Sequence, residues 1–126
     1  TVVTTSPPHS TQLIGLKLKR KFPHIKWIVD FRDPWTDIYY YELLGHTAVS
    51  KNLDAKYERK VIEKSDQIIT VGQKFKDSFQ SKTTQDISAK TAVIPNGYDP
   101  KDFTVESDRN KRYHFLYYLL IFKILW

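Results

Sequence analysis

A short apolar run that ends in charged residues constrains this chain more than any other feature. Residues 27–31 read Trp-Ile-Val-Asp-Phe, and Arg32-Asp33-Pro34-Trp35 follow directly. An apolar run this short, bounded by turn-forming residues, is typical of a buried strand in a parallel sheet. Ligands of α/β proteins bind beyond the carboxyl ends of such strands. The Arg32–Asp33 pair is therefore either functional or a structural pair that closes the loop.

The rest of the chain alternates between strand-like and helix-like segments. Predicted strands cover residues 2–5, 25–31, 67–71 and 91–94, and predicted helices cover residues 11–22, 38–44, 53–64 and 74–81. This alternation predicts an α/β fold, a Rossmann-like parallel sheet covered by helices on both faces. We expect Ser10 to cap the first helix. Ile14, Leu18 and Phe22 should recur on its apolar face, with Leu13 and Leu16 widening that face.

Turn-forming or polar residues follow each predicted strand, at Ser6–His9, Arg32–Trp35, Gly72 and Asn96–Gly97. Because the carboxyl ends of parallel strands share one edge of the sheet, these segments predict a single cleft. We expect His9 and Asp33 to lie at that edge. The helix that begins near Thr11 would point free backbone N–H groups at the cleft, where they could bind a phosphate or an oxyanion.

Aromatic residues crowd the segment after Asp33, namely Trp35, Tyr39, Tyr40 and Tyr41. Aromatic faces pack against sugar rings and lipid interfaces, but these rings could equally form the core of the next helix. Consecutive positions of a helix cannot all face one side. We therefore expect at least one of the three tyrosines to be buried.

The composition narrows the class of protein. A length of 126 residues suits a single domain, and the absence of cysteine excludes disulfides, thiolate metal sites and cysteine nucleophiles. The net charge of +6 comes from basic residues spread over helix-like segments. Such residues either form a solvated face or attract an anionic membrane surface or phosphorylated ligands.

Other kinds of site find little support in the sequence. A Ser-His-Asp hydrolase could be drawn from Ser6, His9 and Asp33, but the chain has no Gly-x-Ser-x-Gly motif. A metal site from His9, Asp30 and Asp33 lacks a helix-spaced histidine pair. The chain also contains no dinucleotide-binding or P-loop motif and no recognisable nucleic-acid-binding module. We expect no metal cofactor and no nucleic-acid partner.

Four stretches resemble, in order and spacing, the bacterial group 1/family 4 glycosyltransferases. They are Thr-Ser-Pro-Pro-His-Ser at 5–10, Trp-Ile-Val-Asp-Phe-Arg-Asp-Pro-Trp at 27–35, the segment 55–71, and Val-Ile-Pro-Asn-Gly-Tyr-Asp at 93–99. The likeness covers residues 1–103. It implies the N-terminal, acceptor-side domain of a two-domain GT-B enzyme over residues 1–105, truncated at its start. Residues 106–126 would be a linker and an atypical apolar tail.

The resemblance also implies a function. Such enzymes move a sugar from a nucleotide-sugar donor to a glycan or a lipid-linked acceptor, with retention of configuration. Arg32 and Asp33 occupy the position where many relatives carry a His-Asp pair near the transferred sugar. Arg32 would offset phosphate charge or hold the acceptor, and Asp33 would orient acceptor hydroxyls. The remaining candidates for substrate binding are Ser6, His9, Trp35, Tyr39, Asn96 and Gly97.

In this interpretation, the donor-binding C-terminal domain and a glycine-rich loop lie outside the sequence. We expect the chain alone to be inactive, cytoplasmic, and in peripheral contact with the inner membrane. Two alternatives stay open: a non-catalytic binding or interaction module on the same fold, and another nucleotide-sugar enzyme such as an epimerase. A second domain that carries the family's donor-binding glutamate would favour the transferase.

Overall fold

A computed structural model describes residues 1–97 and 99. Its centre is a four-stranded parallel sheet in the order β1-β2-β3-β4. The strands are β1 (Val2–Ser6), β2 (Trp27–Phe31), β3 (Gln67–Thr70) and β4 (Thr91–Val93). The helices are α1 (Thr11–Lys21), α2 (Ala48–Lys64) and α3 (Gln73–Ser81), with 3₁₀ turns at Tyr41–Leu44 and Ser88–Lys90. The predicted α/β class, a Rossmann-like parallel sheet flanked by helices, is confirmed.

The helices of the described residues cover one face of the sheet. Every connection moves one strand further in the same direction, and right-handed connections of this kind place their helices on the same side. The fully buried Trp27, Val29 and Phe31 point to that side, which we call the helix-covered face. Residues of the other side, the open face, include Val3, which is 62% exposed. The expectation of helices on both faces is therefore wrong for the described part of the chain.

The Trp27 ring decides which side of α1 is buried. A Cβ at Gly15 would lie 2.2 Å from Trp27 Nε1, so the helix can approach the ring only because residue 15 has no side chain. Gln12 and Gly15 are buried as a result. Ile14 is 60% exposed and Phe22 is 40% exposed. The predicted apolar face of α1 is therefore wrong at Ile14 and Phe22, whereas Leu13 and Leu16 pack against the core as predicted.

Three local predictions also need correction. The helix predicted over residues 38–44 is only the 3₁₀ turn Tyr41–Leu44, which ends at Gly45 with a φ of 64°. Helix α2 begins at Ala48, five residues earlier than predicted, because the Thr47 hydroxyl accepts a hydrogen bond from the Ser50 N–H. Ser10 precedes α1 but already has helical φ and ψ angles, and its side chain makes no capping hydrogen bond.

The first compact unit of the chain ends before the predicted domain boundary. Residues 1–96 form one compact unit, and the predicted boundary at 105–106 and the apolar tail lie outside the described residues. Within residues 1–97 and 99, no helix has the length and apolar character that crossing a membrane requires.

Candidate functional site

The segments after β1 and β2 meet at the carboxyl edge of the sheet. His9 Nε2 lies 3.2 Å from the Asp33 carbonyl oxygen. The His9 ring stacks on Trp35, with 5.5 Å between ring centroids and 20° between planes. The expectation that His9 and Asp33 share one edge is confirmed. We call His9, Asp33 and Trp35 the His9 cluster.

A buried carboxylate fixes the loop that carries this cluster. Glu58 of α2 is fully buried, and its Oε1 accepts a hydrogen bond of 3.1 Å from the Trp35 N–H. Its Oε2 accepts from the Thr36 hydroxyl at 2.5 Å and from Lys82 Nζ at 2.8 Å. Three donors on one buried carboxylate hold the loop after β2 in a single position.

Lys82 also links this loop to Asp37. Its Nζ lies 3.0 Å from Asp37 Oδ2, and the Ser78 hydroxyl donates to the same oxygen. Burial acts to raise the pKa of Asp37, but the hydrogen bonds from Ser78 and Lys82, together with the Lys82 charge, outweigh it and lower that pKa. The charge of Lys82 is thus shared between two carboxylates, Glu58 and Asp37.

Glu58 was not among the residues singled out from the sequence. Its position carried a signal, because Glu58 lies three residues before Val61 and four before Ile62, both fully buried. A glutamate within the apolar stripe of a helix is seldom fully buried unless it is paired. The pairing with residues 35, 36 and 82 could not be read from helical spacing.

A second group of polar side chains comes from β1, from β2 and from the segments that follow β2 and β4. Arg32 Nη2 donates to the Asn96 side-chain carbonyl, and Arg32 Nη1 lies 4.0 Å from Asp30 Oδ2. The Thr5 hydroxyl donates to the same Asp30 oxygen at 3.0 Å. We call Thr5, Asp30, Arg32 and Asn96 the Arg32 cluster. The Arg32 side chain is 51% exposed, whereas that of Asp30 is 18% exposed.

Asp30 contributes an unusual acceptor to the Arg32 cluster. Its Oδ1 is buried and has no hydrogen-bond partner among the described residues. Buried carboxylate oxygens are normally hydrogen-bonded, so an unpartnered one is typical of a position that a ligand or a water completes. The only role that the sequence suggested for Asp30 was that of a metal ligand. Within residues 1–97 and 99, no group of three potential ligand side chains could hold a metal ion.

Several other residues that were predicted from the sequence belong to neither cluster. Ser6 is 1% exposed, and its hydroxyl accepts a 3.0 Å hydrogen bond from Gln12. Tyr39 is 90% exposed, and its ring lies edge-to-face with that of Tyr40. Tyr41 is buried, with its hydroxyl 2.7 Å from Asp54. The expectation that one tyrosine is buried is confirmed. Gly97 is exposed and follows the compact unit that contains the other candidates.

The start of α1 does not present the free N–H groups that were expected. The N–H groups of Thr11, Gln12 and Leu13 donate to the carbonyl oxygens three residues earlier, at distances of 3.1, 3.0 and 3.1 Å. The turn before the helix satisfies these donors, so they cannot also hold an oxyanion. The prediction of an anion site at these three groups is wrong.

Comparisons of the chain with protein-family models, with curated proteins and with solved structures found no match. The ligands that the site can bind therefore follow from its own residues. It combines an exposed guanidinium, an amide, two nearby carboxylates and a stacked aromatic pair. These groups can bind hydroxyl-rich or phosphorylated ligands by directional hydrogen bonds.

Proposed function

We propose that this chain forms the acceptor-side part of a retaining glycosyltransferase, which moves a sugar from a nucleotide-sugar donor to a glycan or a lipid-linked acceptor. One observation carries the proposal: the residues of the His9 and Arg32 clusters all belong to three of the four glycosyltransferase-like stretches, and they lie together towards the carboxyl edge of the sheet. The resemblance in sequence suggests the reaction, and the grouping of these polar and aromatic side chains supports it.

Asp33 suits the orientation of an acceptor hydroxyl. Its backbone carbonyl contacts His9, but its side-chain carboxylate has no hydrogen-bond partner in the described part of the chain. The hydrogen bonds from Trp35 and Thr36 to the buried Glu58 hold the loop that carries Asp33. The backbone of this loop therefore need not rearrange when a sugar binds. A carboxylate that is held in advance and still accepts hydrogen bonds stabilises developing charge on a hydroxyl.

Arg32 suits contact with phosphate. Its guanidinium is half exposed, and its two described partners, Asn96 and Asp30, leave part of the donor fork available. A planar guanidinium recognises phosphate or carboxylate oxygens in pairs, and it stays charged at every physiological pH. Arg32 would therefore offset the charge of a donor or acceptor phosphate during transfer.

His9 offers the accessible ring of the aromatic pair. Trp35 is only 7% exposed, so it supports the His9 ring from behind and presents little surface of its own. The partly exposed His9 would pack against the acceptor sugar. We propose no metal in this site, and the nucleotide sugar enters as a substrate.

Ligand binding to the full chain tests the proposal. The ¹⁵N-labelled protein is titrated with oligosaccharides, with short-chain polyprenyl-diphosphate sugars and with a panel of nucleotide sugars. We expect acceptor compounds to shift the amide signals of residues 9, 32, 33 and 35. The Asp33→Asn variant should weaken this binding, whereas Asp86→Asn, at an exposed position in another loop, should not. If no compound of the panel shifts these signals, the proposed function is wrong.

A further inference from the structure

Helices α1 and α2 carry a large excess of positive charge without acidic partners. Helix α1 contains no acidic residue. The three acidic residues of α2 are engaged elsewhere: Asp54 accepts from Tyr41, Glu58 holds the loop after β2, and Glu63 accepts from Thr83. Within the described residues, several cations of the two helices therefore form no ion pair, namely Lys17, Arg20, Lys21, Lys56, Lys60 and Lys64.

Four of these cations surround an apolar groove. The groove lies between α1 and α2 and encloses about 680 Å³. Its apolar lining is Leu13, Leu16, Pro23 and Tyr57, and its basic rim includes Lys17, Arg20, Lys60 and Lys64. Two further residues line it: Lys19, which is paired with Asp66, and the carboxylate Glu63, so the cations of the groove outnumber its acidic groups five to one. The positions recur at intervals of three or four residues, so each helix contributes one continuous stripe. We call this groove with its rim the α1–α2 surface.

Large aliphatic side chains are exposed on the same two helices. Ile14 is 60% exposed and lies one turn before Lys17, and Leu53 is 45% exposed and lies one turn before Tyr57. Aliphatic side chains gain free energy by entering hydrocarbon, but they gain little against a phosphate backbone. A cationic surface that also exposes aliphatic groups is therefore better matched to anionic lipid than to nucleic acid.

We propose that the α1–α2 surface docks the protein on an anionic lipid bilayer. The unpaired cations are spread over two neighbouring helices, an area better suited to many headgroups than to one small anion. Their positive charge complements a negative surface, and an acyl chain can occupy the apolar groove. This inference stands without the proposed function, although a lipid-linked acceptor would be met at such a surface.

The topology separates this surface from the candidate functional site. Helices α1 and α2 each return the chain from the carboxyl end of one strand to the amino end of the next, because the strands are parallel. Their last turns, with Arg20 and Lys64, therefore lie towards the amino ends of the strands. The His9 cluster lies at the carboxyl ends, so these two cations lie away from it, whereas Leu13 of the groove lies in the first turn of α1, nearer that edge.

Sedimentation with vesicles tests the proposal on the full chain. Binding is measured to mixed phosphatidylglycerol–phosphatidylcholine vesicles and to pure phosphatidylcholine vesicles, at low and high salt. We expect binding to the anionic vesicles only, and we expect salt to weaken it. Lys17→Glu/Lys60→Glu should weaken binding roughly tenfold or more, because it replaces two cations of the rim by anions.

A matched variant separates position from net charge. Arg59→Glu/Lys74→Glu makes the same change in charge at exposed residues outside the groove, and we expect nearly unchanged binding. The apolar segment at the end of the chain is present in both variants, so its contribution cancels. Equal loss in the two variants would overturn the proposal, as would equal binding to neutral vesicles. Tighter binding to a DNA or RNA oligonucleotide at the same salt would also overturn it.

Discussion

The helix-covered face and the open face of the sheet differ in how their charged side chains are paired. On the helix-covered side, Glu58 is fully buried and accepts hydrogen bonds from three groups. On the open side, Arg32 is half exposed and Asp30 Oδ1 has no described partner. Both sides border the loop after β2. The comparison shows that the charged groups of one side hold the loop in place, whereas those of the other side keep donors and acceptors without a partner among the described residues.

The energetics of charge burial explain this difference. A buried carboxylate without partners would be very costly, so Glu58 persists only because its donors are held around it. The Arg32–Asp30 pair joins a half-exposed guanidinium to a mostly buried carboxylate at a distance of 4.0 Å, too long for a strong ion pair, so it contributes little to folding. Substitutions on the helix-covered side should therefore act on stability, and those on the open side should act on binding.

The largest effect is expected for Glu58→Ala. This variant leaves the Lys82 cation and the Trp35 N–H without their buried acceptor, which should lower the free energy of unfolding by about 3–5 kcal/mol. Urea denaturation measures the change. Glu42→Ala is the control, because its carboxylate forms only an exposed pair with Lys51 and should contribute at most about 1 kcal/mol. Similar losses in the two variants would contradict the framework role of Glu58.

A smaller effect is expected for Gly15→Ala, which tests the closeness of α1 to the sheet. The new Cβ would meet the Trp27 ring, and overpacking of this kind costs about 1–3 kcal/mol, reduced by the better helix propensity of alanine. Gly72→Ala is the control, since nothing lies within 4 Å of the added Cβ. If Gly15→Ala is as stable as the wild type by thermal denaturation, the described packing of Trp27 is wrong.

The ion pair at the amino edge of the sheet should give a modest pH effect. Burial acts to raise the pKa of Asp66, but hydrogen bonds from Lys19 and the Trp27 N–H outweigh it, so its pKa is lowered from 3.8. A lowered folded-state pKa gives stability that is present above the ordinary value and is lost as the pH falls through the folded-state pKa.

Asp66→Asn should therefore destabilise the protein slightly at neutral pH, by no more than about 1 kcal/mol, and flatten the decline in stability below about pH 4. Thermal midpoints recorded from neutral to acidic pH measure this. An unchanged acid limb in the variant would show that Asp66 does not contribute to acid denaturation.

The smallest effect on stability is expected on the open side. Arg32→Ala should change the free energy of unfolding by no more than about 0.5 kcal/mol, because its contacts are exposed. The same variant should weaken the binding of phosphorylated ligands in the NMR titration. A stability loss as large as that of Glu58→Ala would remove the distinction between the two sides.

The class of fold and the meeting point of His9 and Asp33 could both be predicted from the sequence. Short apolar runs and turn-forming residues are local signals, so they located β2 and the loop after it to within a few residues. The parallel arrangement followed from the alternation of strands and helices. It brought His9 next to Asp33, because parallel strands end at a common edge.

The burial of individual side chains could not be predicted from the sequence, because it depends on how the helices pack on the sheet. The spacing of Ile14, Leu18 and Phe22 predicted that these residues would face the sheet. In the structure Gly15 faces the sheet, because only a residue without a side chain fits against the Trp27 ring, and Ile14 is exposed as a result. Glu58 and Lys82 pair across 24 residues of sequence. Interactions between residues so far apart in sequence depend on how helices and strands pack. The same packing places the three described helices on one face of the sheet. Asp30 and Arg32 remain on the open face.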